Sequence, residues 1–255
     1  MRRFRFIFLC LFLLVSGSTA VAQGTKPFTI VLDAGHGGKD PGALGKTGKE
    51  KNINLAVTLA LGKLIEDNLK DVKVVYTRKT DVFVELNERA AIANRAKANL
   101  FVSIHTNALP KGAQGKGSET YTLGMHRAAD NLEVAKRENA AIMLEKDYEN
   151  RYEGFDPKSA ESYIIFEFMQ DTYMEESVKV ASFIQQQFRS AGRPDKGVHQ
   201  AGFLVLRATS MPSCLIELGY ITTAAEEAYL TSDRGVQQLA KSIYEAIKKY
   251  KAIKQ

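Results

Sequence analysis

The stretch that most constrains the fold of this chain is residues 30–38, where three apolar residues lead into a glycine-rich turn containing His36. A short apolar run that stops at glycines is typical of a buried parallel strand. Such a strand delivers a side chain to the edge of a sheet, where α/β proteins bind their ligands. The glycines beside His36 also let the backbone turn tightly and approach a ligand closely. If His36 is chemically active, other residues of the chain must converge on it.

Segments typical of strands and helices alternate after this turn. Apolar, β-branched runs predict further strands at 72–77, 100–104, 119–123, 203–206 and 214–218. Apolar residues at helical spacing predict helices at 51–69, 86–98, 132–146, 162–190, 223–230 and 234–249. This alternation predicts a single α/β domain over residues 27–250. We expect a twisted, mostly parallel sheet of about six strands, flanked by helices on both faces.

The first 22 residues have the pattern of a signal peptide. A basic start is followed by an apolar run over residues 7–15 and a small-residue site at Ala20-Val21-Ala22. The apolar run is shorter than the roughly 20 residues of a membrane span, so we expect no stable membrane anchor, with an uncleaved anchor as the alternative. We therefore expect an exported protein in the periplasm, with secretion as the second option.

Charge and cysteine content exclude some classes of function. The formal net charge of +6 falls to +3 without the three arginines of the leader, so the sequence does not indicate nucleic-acid binding. Cys214 alone remains after cleavage, and it lies in an apolar run. Core packing is the favoured interpretation of such a cysteine, and a catalytic thiol is the weaker one.

Candidate catalytic side chains stand at the ends of predicted strands. His36, His105 and Glu217 each follow an apolar strand, and Glu50 begins a helix after a glycine-rich loop. Parallel strands place their carboxyl ends at one edge of the sheet, so these side chains can meet. Two imidazoles and a carboxylate match a catalytic zinc set, and a further carboxylate in an apolar setting suits a general base. The alternative is that the histidines are hydrogen-bonded structural residues and that Glu50 is a helix-start carboxylate favoured by the helix dipole.

Four segments resemble the motif blocks of the zinc-dependent N-acetylmuramoyl-L-alanine amidases of bacterial cell walls. They are VLDAGHGGKDPGA at 31–43, KEKNINL at 49–55, SIHTNA at 103–108 and LIELGY at 215–220. The resemblance covers nearly all of the chain after the leader. It implies one zinc ion on His36, Glu50 and His105, with Glu217 as the catalytic carboxylate. A further block, NERAAIAN at 87–94, also resembles the family.

The resemblance implies a peptidoglycan hydrolase that cleaves the amide between N-acetylmuramic acid and L-alanine of the stem peptide. Zinc-activated water would attack, with Glu217 as general base, in cell-wall remodelling or daughter-cell separation. We expect a monomer whose substrate contacts include Asn107 and Arg89, with a structural role as the alternative for Arg89. The rival functions are another zinc-dependent cell-wall peptidase or deacetylase, or a non-catalytic peptidoglycan-binding protein.

Residues 146–165 depart from the minimal pattern of this family. Some division-linked members carry an added helical segment there, which covers the active site until an activator protein displaces it. By that resemblance, Glu145, Glu149 or Glu153 would occupy the open zinc position and hold the enzyme inactive. A plain surface loop is the alternative. His126 and His199 receive no role; we expect His126 on the surface and His199 in a loop.

Overall fold

The computed structural model describes residues 27–126, 128–169 and 172–254. The expected signal peptide lies outside these residues. The strands are β1 (Phe28–Ala34), β2 (Val72–Tyr76), β3 (Leu100–Asn107), β4 (Ser118–Leu123), β5 (Asp195–Ala201) and β6 (Ser213–Tyr220). The α-helices are α1 (Glu50–Asn68), α2 (Leu86–Arg95), α3 (Ala129–Asn139), α4 (Tyr148–Arg151), α5 (Met174–Ser190), α6 (Leu204–Arg207), α7 (Ala224–Leu230) and α8 (Asp233–Ala252).

The strands form one six-stranded sheet in the order β2-β1-β3-β6-β4-β5. Every neighbouring pair is parallel except β4 and β6, which run antiparallel. The predicted mostly parallel α/β sheet is therefore confirmed. Because β1, β3 and β6 are parallel neighbours, their carboxyl ends share one edge, and that edge carries the candidate site.

Two apolar layers cover the two faces of the sheet. One is built against α1, α5 and α8, with Leu61, Ile184 and Ile243 fully buried. The other packs α2, α6 and the segment after α3 around Phe101 and Phe203. Burying a large apolar side chain contributes roughly 1.5–3 kcal/mol, so these layers hold the sheet edge in place. No helix in the described part of the chain is long and apolar enough to cross a membrane.

Cys214 belongs to the first of these layers. It is 0% exposed, and its neighbours in that core cluster include Ile216 and Leu218. Burial raises the pKa of its thiol to about 12, which keeps the thiol protonated. The environment is that of a core-packing cysteine.

Two predicted elements differ from the structure. A strand is expected at 203–206, but Leu204–Arg207 form α6, and the strand at this edge of the sheet is instead β5 at Asp195–Ala201. A short apolar run fits a buried helical turn as well as a strand. The sequence of β5, DKGVHQA, is mostly polar and shows no apolar pattern from which a strand could be predicted. The helix expected over 162–190 is also divided. A 3-10 helix occupies Glu161–Glu167, and α5 begins only at Met174.

Candidate metal centre

Three elements deliver the three predicted ligands to one point. His36 lies in the turn after β1, His105 lies near the carboxyl end of β3, and Glu50 is the first residue of α1. The turn needs glycine at position 35, because a Cβ built there would lie 2.3 Å from His105 Nε2. The glycine-rich turn therefore makes room for the second histidine.

The three side chains approach at distances that suit a shared metal ion. His36 Nε2 lies 3.2 Å from Glu50 Oε1, and His105 Nδ1 lies 3.3 Å from the same oxygen. Ligand atoms about 2.0–2.1 Å from a tetrahedral zinc ion stand about 3.3 Å apart. The observed spacing fits a common centre.

A fourth group, which the sequence analysis missed, completes the cluster. Glu138 lies in the last turn of α3, and its Oε2 is 3.0 Å from His36 Nε2 and 2.8 Å from His105 Nδ1. Ligand atoms of His36, Glu50, His105 and Glu138 all lie within 4.8 Å of one another, and each residue is at most 7% exposed. Glu138 could not be found by searching the ends of predicted strands, because it lies on a helix. Only its position four residues after the buried Val134 marks Glu138 as facing inwards.

The expectation that Glu145, Glu149 or Glu153 occupies this point is corrected by the structure. Glu145 is buried, but it accepts hydrogen bonds from the Leu86 backbone N–H (2.8 Å) and from the Tyr152 hydroxyl, so it caps the start of α2. Glu149 and Glu153 are exposed to solvent. The carboxylate that lies against both histidines is instead Glu138 of α3, which precedes residues 146–165 in the chain.

Buried hydrogen bonds hold the candidate ligands in position. The Asp40 carboxylate lies 2.8 Å from His36 Nδ1, which leaves His36 Nε2 directed at the cluster. Glu50 accepts hydrogen bonds from the Ala43 and Thr106 backbone N–H groups at 2.7 and 2.9 Å. Carboxylate partners of this kind fix the orientation and tautomer of metal-binding histidines.

Glu217 occupies the next strand beside His105. The two residues are register partners between β3 and β6, and Glu217 is 0% exposed. Among the described residues, neither of its carboxylate oxygens has a hydrogen-bond partner, and Arg137 NH2 lies 3.7 Å from Oε1. Burial, reinforced by the charge of Glu138, raises the pKa of Glu217 well above its usual value, and Arg137 opposes this shift.

The electrostatics of the cluster favour a cation. Burial alone lowers the pKa of both histidines, but Glu50 at His36 and Glu138 at His105 outweigh it and raise both pKa values. The His105 Nδ1 atom is buried and has no aligned hydrogen bond within the described residues, although carboxylates surround it. Two imidazoles and two carboxylates form a donor set that can hold a metal ion.

The two predicted substrate contacts lie in different settings. Arg89 is 1% exposed and donates to Asp33 Oδ1 at 2.7 Å and to the His36 carbonyl at 2.9 Å. It is buried against the turn that carries His36, which favours the structural alternative for Arg89 over a direct contact with substrate. Asn107 lines a cavity beside the cluster and bonds Glu119 and Arg137. A substrate contact for Asn107 stays a prediction.

The two other histidines lie outside the metal cluster. His126 is partly exposed, after the end of β4. His199, expected in a loop, belongs to β5 and lines the same cavity as Asn107.

Comparison with known proteins decides the family. A family model described as N-acetylmuramoyl-L-alanine amidase matches residues 30–249. The chain belongs to this family. The match covers the turn of His36, the start of α1, the carboxyl end of β3, the last turn of α3 and β6.

Individual family members agree with this assignment. The chain is 34% identical over 232 residues to the N-acetylmuramoyl-L-alanine amidase AmiC of Escherichia coli, over 88% of this chain and 53% of that protein. It thus spans about half the length of that relative. An N-acetylmuramoyl-L-alanine amidase structure from Clostridium difficile 630 superposes with a TM-score of 0.67 at 28% identity, covering 91% of this chain and 100% of the other. The structure of the CwlD amidase from Clostridioides difficile, in complex with the GerS lipoprotein, superposes with a TM-score of 0.63 at 27% identity. The match covers 88% of this chain and 98% of that chain.

Proposed function

We propose that this protein is a zinc-dependent N-acetylmuramoyl-L-alanine amidase that cleaves the amide between N-acetylmuramic acid and L-alanine in peptidoglycan. The observation that carries the proposal is the convergence of His36, Glu50 and His105 at one sheet edge, with Glu217 on the adjacent strand. Family membership favours this amide as the cleaved bond over the other bonds that a metal hydrolase can cleave.

His36, Glu50 and His105 would hold the zinc ion. Two imidazole nitrogens and one carboxylate are a zinc set that leaves a position open for chemistry. A zinc ion held there supplies Lewis acidity, which polarises a carbonyl group and makes water nucleophilic near neutral pH. Asp40 and the backbone N–H groups on Glu50 keep the three side chains aligned before substrate arrives.

Glu217 would move the proton. Its side chain lies beside His105, and its oxygens, which have no hydrogen-bond partner in the described part of the chain, can accept a proton from the attacking water. A raised pKa brings a carboxyl group closer to the pH at which it can both take and return a proton. Glu217 then gives the proton to the departing L-alanine nitrogen, so that the peptide leaves as an amine.

The resting protein would be held inactive by α3. Glu138 fills the position that a substrate carbonyl or a water molecule needs, and Arg137 beside it lies 3.1 Å from the Glu138 carboxylate and 3.7 Å from Glu217. One helix therefore engages both the ligand cluster and the general base. Activation requires α3 to withdraw from this edge.

An activator protein is the proposed means of withdrawal. The segment after α3 exposes apolar side chains, since Ile164 is 49%, Ile165 is 41% and Phe168 is 81% exposed. Exposed apolar residues grouped on one segment are typical of a protein contact. The leader-like residues 1–22 support export to the periplasm, where peptidoglycan is the substrate.

Product analysis of a peptidoglycan digest tests the reaction. Zinc-loaded Glu138→Ala protein should release peptides with a free L-alanine amine and leave glycan strands with a lactyl carboxylate, and wild type without an activator should form the same products at least about tenfold more slowly. The comparisons that follow are made in the Glu138→Ala background. Chelation and Glu217→Gln should each stop the release, whereas Glu153→Gln, an exposed carboxylate, should not. Release of acetate or of single D-amino acids would instead identify a deacetylase or a peptidase.

A further inference from the structure

A cavity of about 680 Å³ opens beside the metal cluster. The last residues of β3 and β6, the strands β4 and β5, and one side of α3 line it, with Asn107, Glu119, Tyr220, Lys196 and His199 on the sheet side. The proposed reaction assigns no role to this space. Its volume lies in the range of pockets that bind small molecules or short peptides.

The register of the sheet places this cavity in line with the reacting groups. Across the sheet, His105 pairs with Glu217 and Glu217 pairs with Glu119. The next strand outwards is β5, which carries Lys196 and His199. Neighbouring strands lie about 4.8 Å apart, so β5 stands about 10 Å from Glu217. An extended peptide spans about 3.3–3.6 Å per residue, so this distance corresponds to about three residues.

A bulge in β5 brings Lys196 to the cavity. Ser118 pairs with Asp195 and Thr120 with Val198, so β5 has one residue more than β4 in this interval. Gly197, inside the interval, has a φ of +97°. The His199 Nε2–H donates to the Lys196 carbonyl at 2.9 Å, which fixes the bulge. Bulges of this kind re-aim side chains beside active sites.

The charges of the sheet wall favour an anionic ligand at its outer end. Glu119 is already bonded by Asn107 Nδ2 at 2.6 Å and by the Tyr220 hydroxyl at 2.9 Å. The Lys196 ammonium lies over the Tyr220 ring, 5.5 Å from its centroid, and is paired with no carboxylate of the described residues. A lysine at a cavity mouth can pair with a carboxylate. A glycan strand whose lactyl groups are still amide-linked to stem peptides offers hydroxyl and acetamido groups but no free carboxylate.

We propose that this cavity binds the stem peptide, and that Lys196 pairs with a peptide carboxylate within about three residues of the cleaved bond. The inference rests on the proposed function for the identity of the substrate. It assigns the peptide, rather than the glycan, to the β4–β5 side of the metal cluster. Lys196 thereby sets a preference for acidic over amidated stem peptides.

Equilibrium binding of two stem tripeptides that begin with L-alanine tests this assignment without requiring turnover. One peptide keeps its free carboxylates and the other has them amidated, and calorimetry measures both against the zinc-loaded full chain. Wild type should bind the acidic peptide about fivefold to tenfold more tightly. Lys196→Met should remove that preference without changing affinity for the amidated peptide, and Lys196→Arg should retain it. Lys241→Met, on the exposed surface of α8, serves as the matched control.

The same titrations in the Glu138→Ala background cover the case in which α3 restricts entry to the cavity. Equal affinities for the two peptides in both backgrounds, an unchanged preference in Lys196→Met, or no binding of either peptide would overturn the assignment. A Lys196-dependent preference without peptide release from peptidoglycan would leave the cavity assignment standing and overturn the proposed amidase activity. Release of peptide from peptidoglycan with no Lys196-dependent preference would overturn the cavity assignment and leave the proposed amidase activity standing.

Discussion

Glu50 and Glu217 are two fully buried carboxylates whose surroundings shift their pKa values in opposite directions. Burial raises the pKa of Glu50, but His36 and His105 outweigh it and hold the pKa well below its usual value. At Glu217, Arg137 opposes the effect of burial without outweighing it, so burial raises the pKa of Glu217 well above the usual value. When the pKa values of two carboxyl groups in one site are shifted in opposite directions, one group can serve as a charged ligand and the other as a proton carrier.

The raised pKa of Glu217 predicts a pH dependence of stability in the metal-free protein. The folded state holds this proton more tightly than the unfolded state, so the contribution is fully present below the unfolded pKa of about 4.5 and is lost as the pH rises towards the folded pKa. Glu217→Gln should therefore reduce the fall in unfolding free energy between about pH 5 and pH 7, by at most about 1.4 kcal/mol per pH unit. Chemical denaturation with chelator present measures it, and Glu149→Gln is the exposed control. Identical slopes in wild type and Glu217→Gln would contradict the shift.

The contact between Asp40 and His36 predicts that a substitution at Asp40 weakens metal binding without unfolding the protein. Its carboxylate fixes His36 through Nδ1, so Asp40→Asn should weaken zinc binding about 10-fold to 100-fold while the fold is retained. Competition with a chromophoric chelator measures the affinity, and circular dichroism checks the fold. Unchanged zinc affinity in Asp40→Asn would show that Asp40 only stabilises the turn.

Sequence reasoning at the residue scale named three of the four cluster residues and the neighbouring Glu217, and it missed Glu138. His36, His105 and Glu217 follow apolar strands, and Glu50 begins a helix, so each has a local signal. Glu138 has none, because its place depends on how α3 docks against the sheet. The choice between a structural and a substrate-contacting Arg89 stayed open for a related reason: its burial against Asp33 is a tertiary fact that the block at 87–94 does not show.

At the scale of elements, the proposed function makes α3 the regulatory part of the site. Glu138→Ala should remove the competing ligand and raise peptide release by at least about tenfold without an activator, equivalent to about 1.4 kcal/mol in the barrier. Zinc content should stay the same, since His36, Glu50 and His105 remain. Glu149→Ala, on the exposed face of α4, is the matched control. Equal rates in wild type and Glu138→Ala would mean that α3 does not restrain the enzyme.

A point substitution is a cleaner test than deleting the insertion. Tyr152 and Phe155 are 1% and 7% exposed, and they pack in the second apolar layer with Tyr163 and Phe166. Removing this segment would expose that layer, so lost stability would obscure any gain in activity.

Helices with a sustained amphipathic period were predicted well, and so were most of the short apolar strands, but the run at 203–206 was not. The expected helices at 51–69 and 234–249 agree with α1 and α8 to within a few residues, because a sustained helical period is a strong signal. The run at 203–206 was too short to show any period. The strand β5 is held by pairing with β4 at the sheet edge, which its own sequence does not indicate.

At the scale of the whole molecule, the site exists because the sheet order gathers distant parts of the chain. The order β1-β3-β6 puts the turn after β1 beside the ends of two strands that are far away in sequence. The alternation of strands and helices predicted this shared edge. It did not predict that β4 runs antiparallel to β6 and brings Glu119 into register with Glu217, which creates the neighbouring cavity.

A crystal structure of the zinc-loaded wild-type protein, with anomalous scattering measured at the zinc edge, tests the central claim most directly. We predict one zinc ion per chain, bound by His36, Glu50, His105 and Glu138. In Glu138→Ala, water should replace the fourth ligand. Zinc at another place, or wild-type zinc with water where Glu138 is expected, would contradict the account.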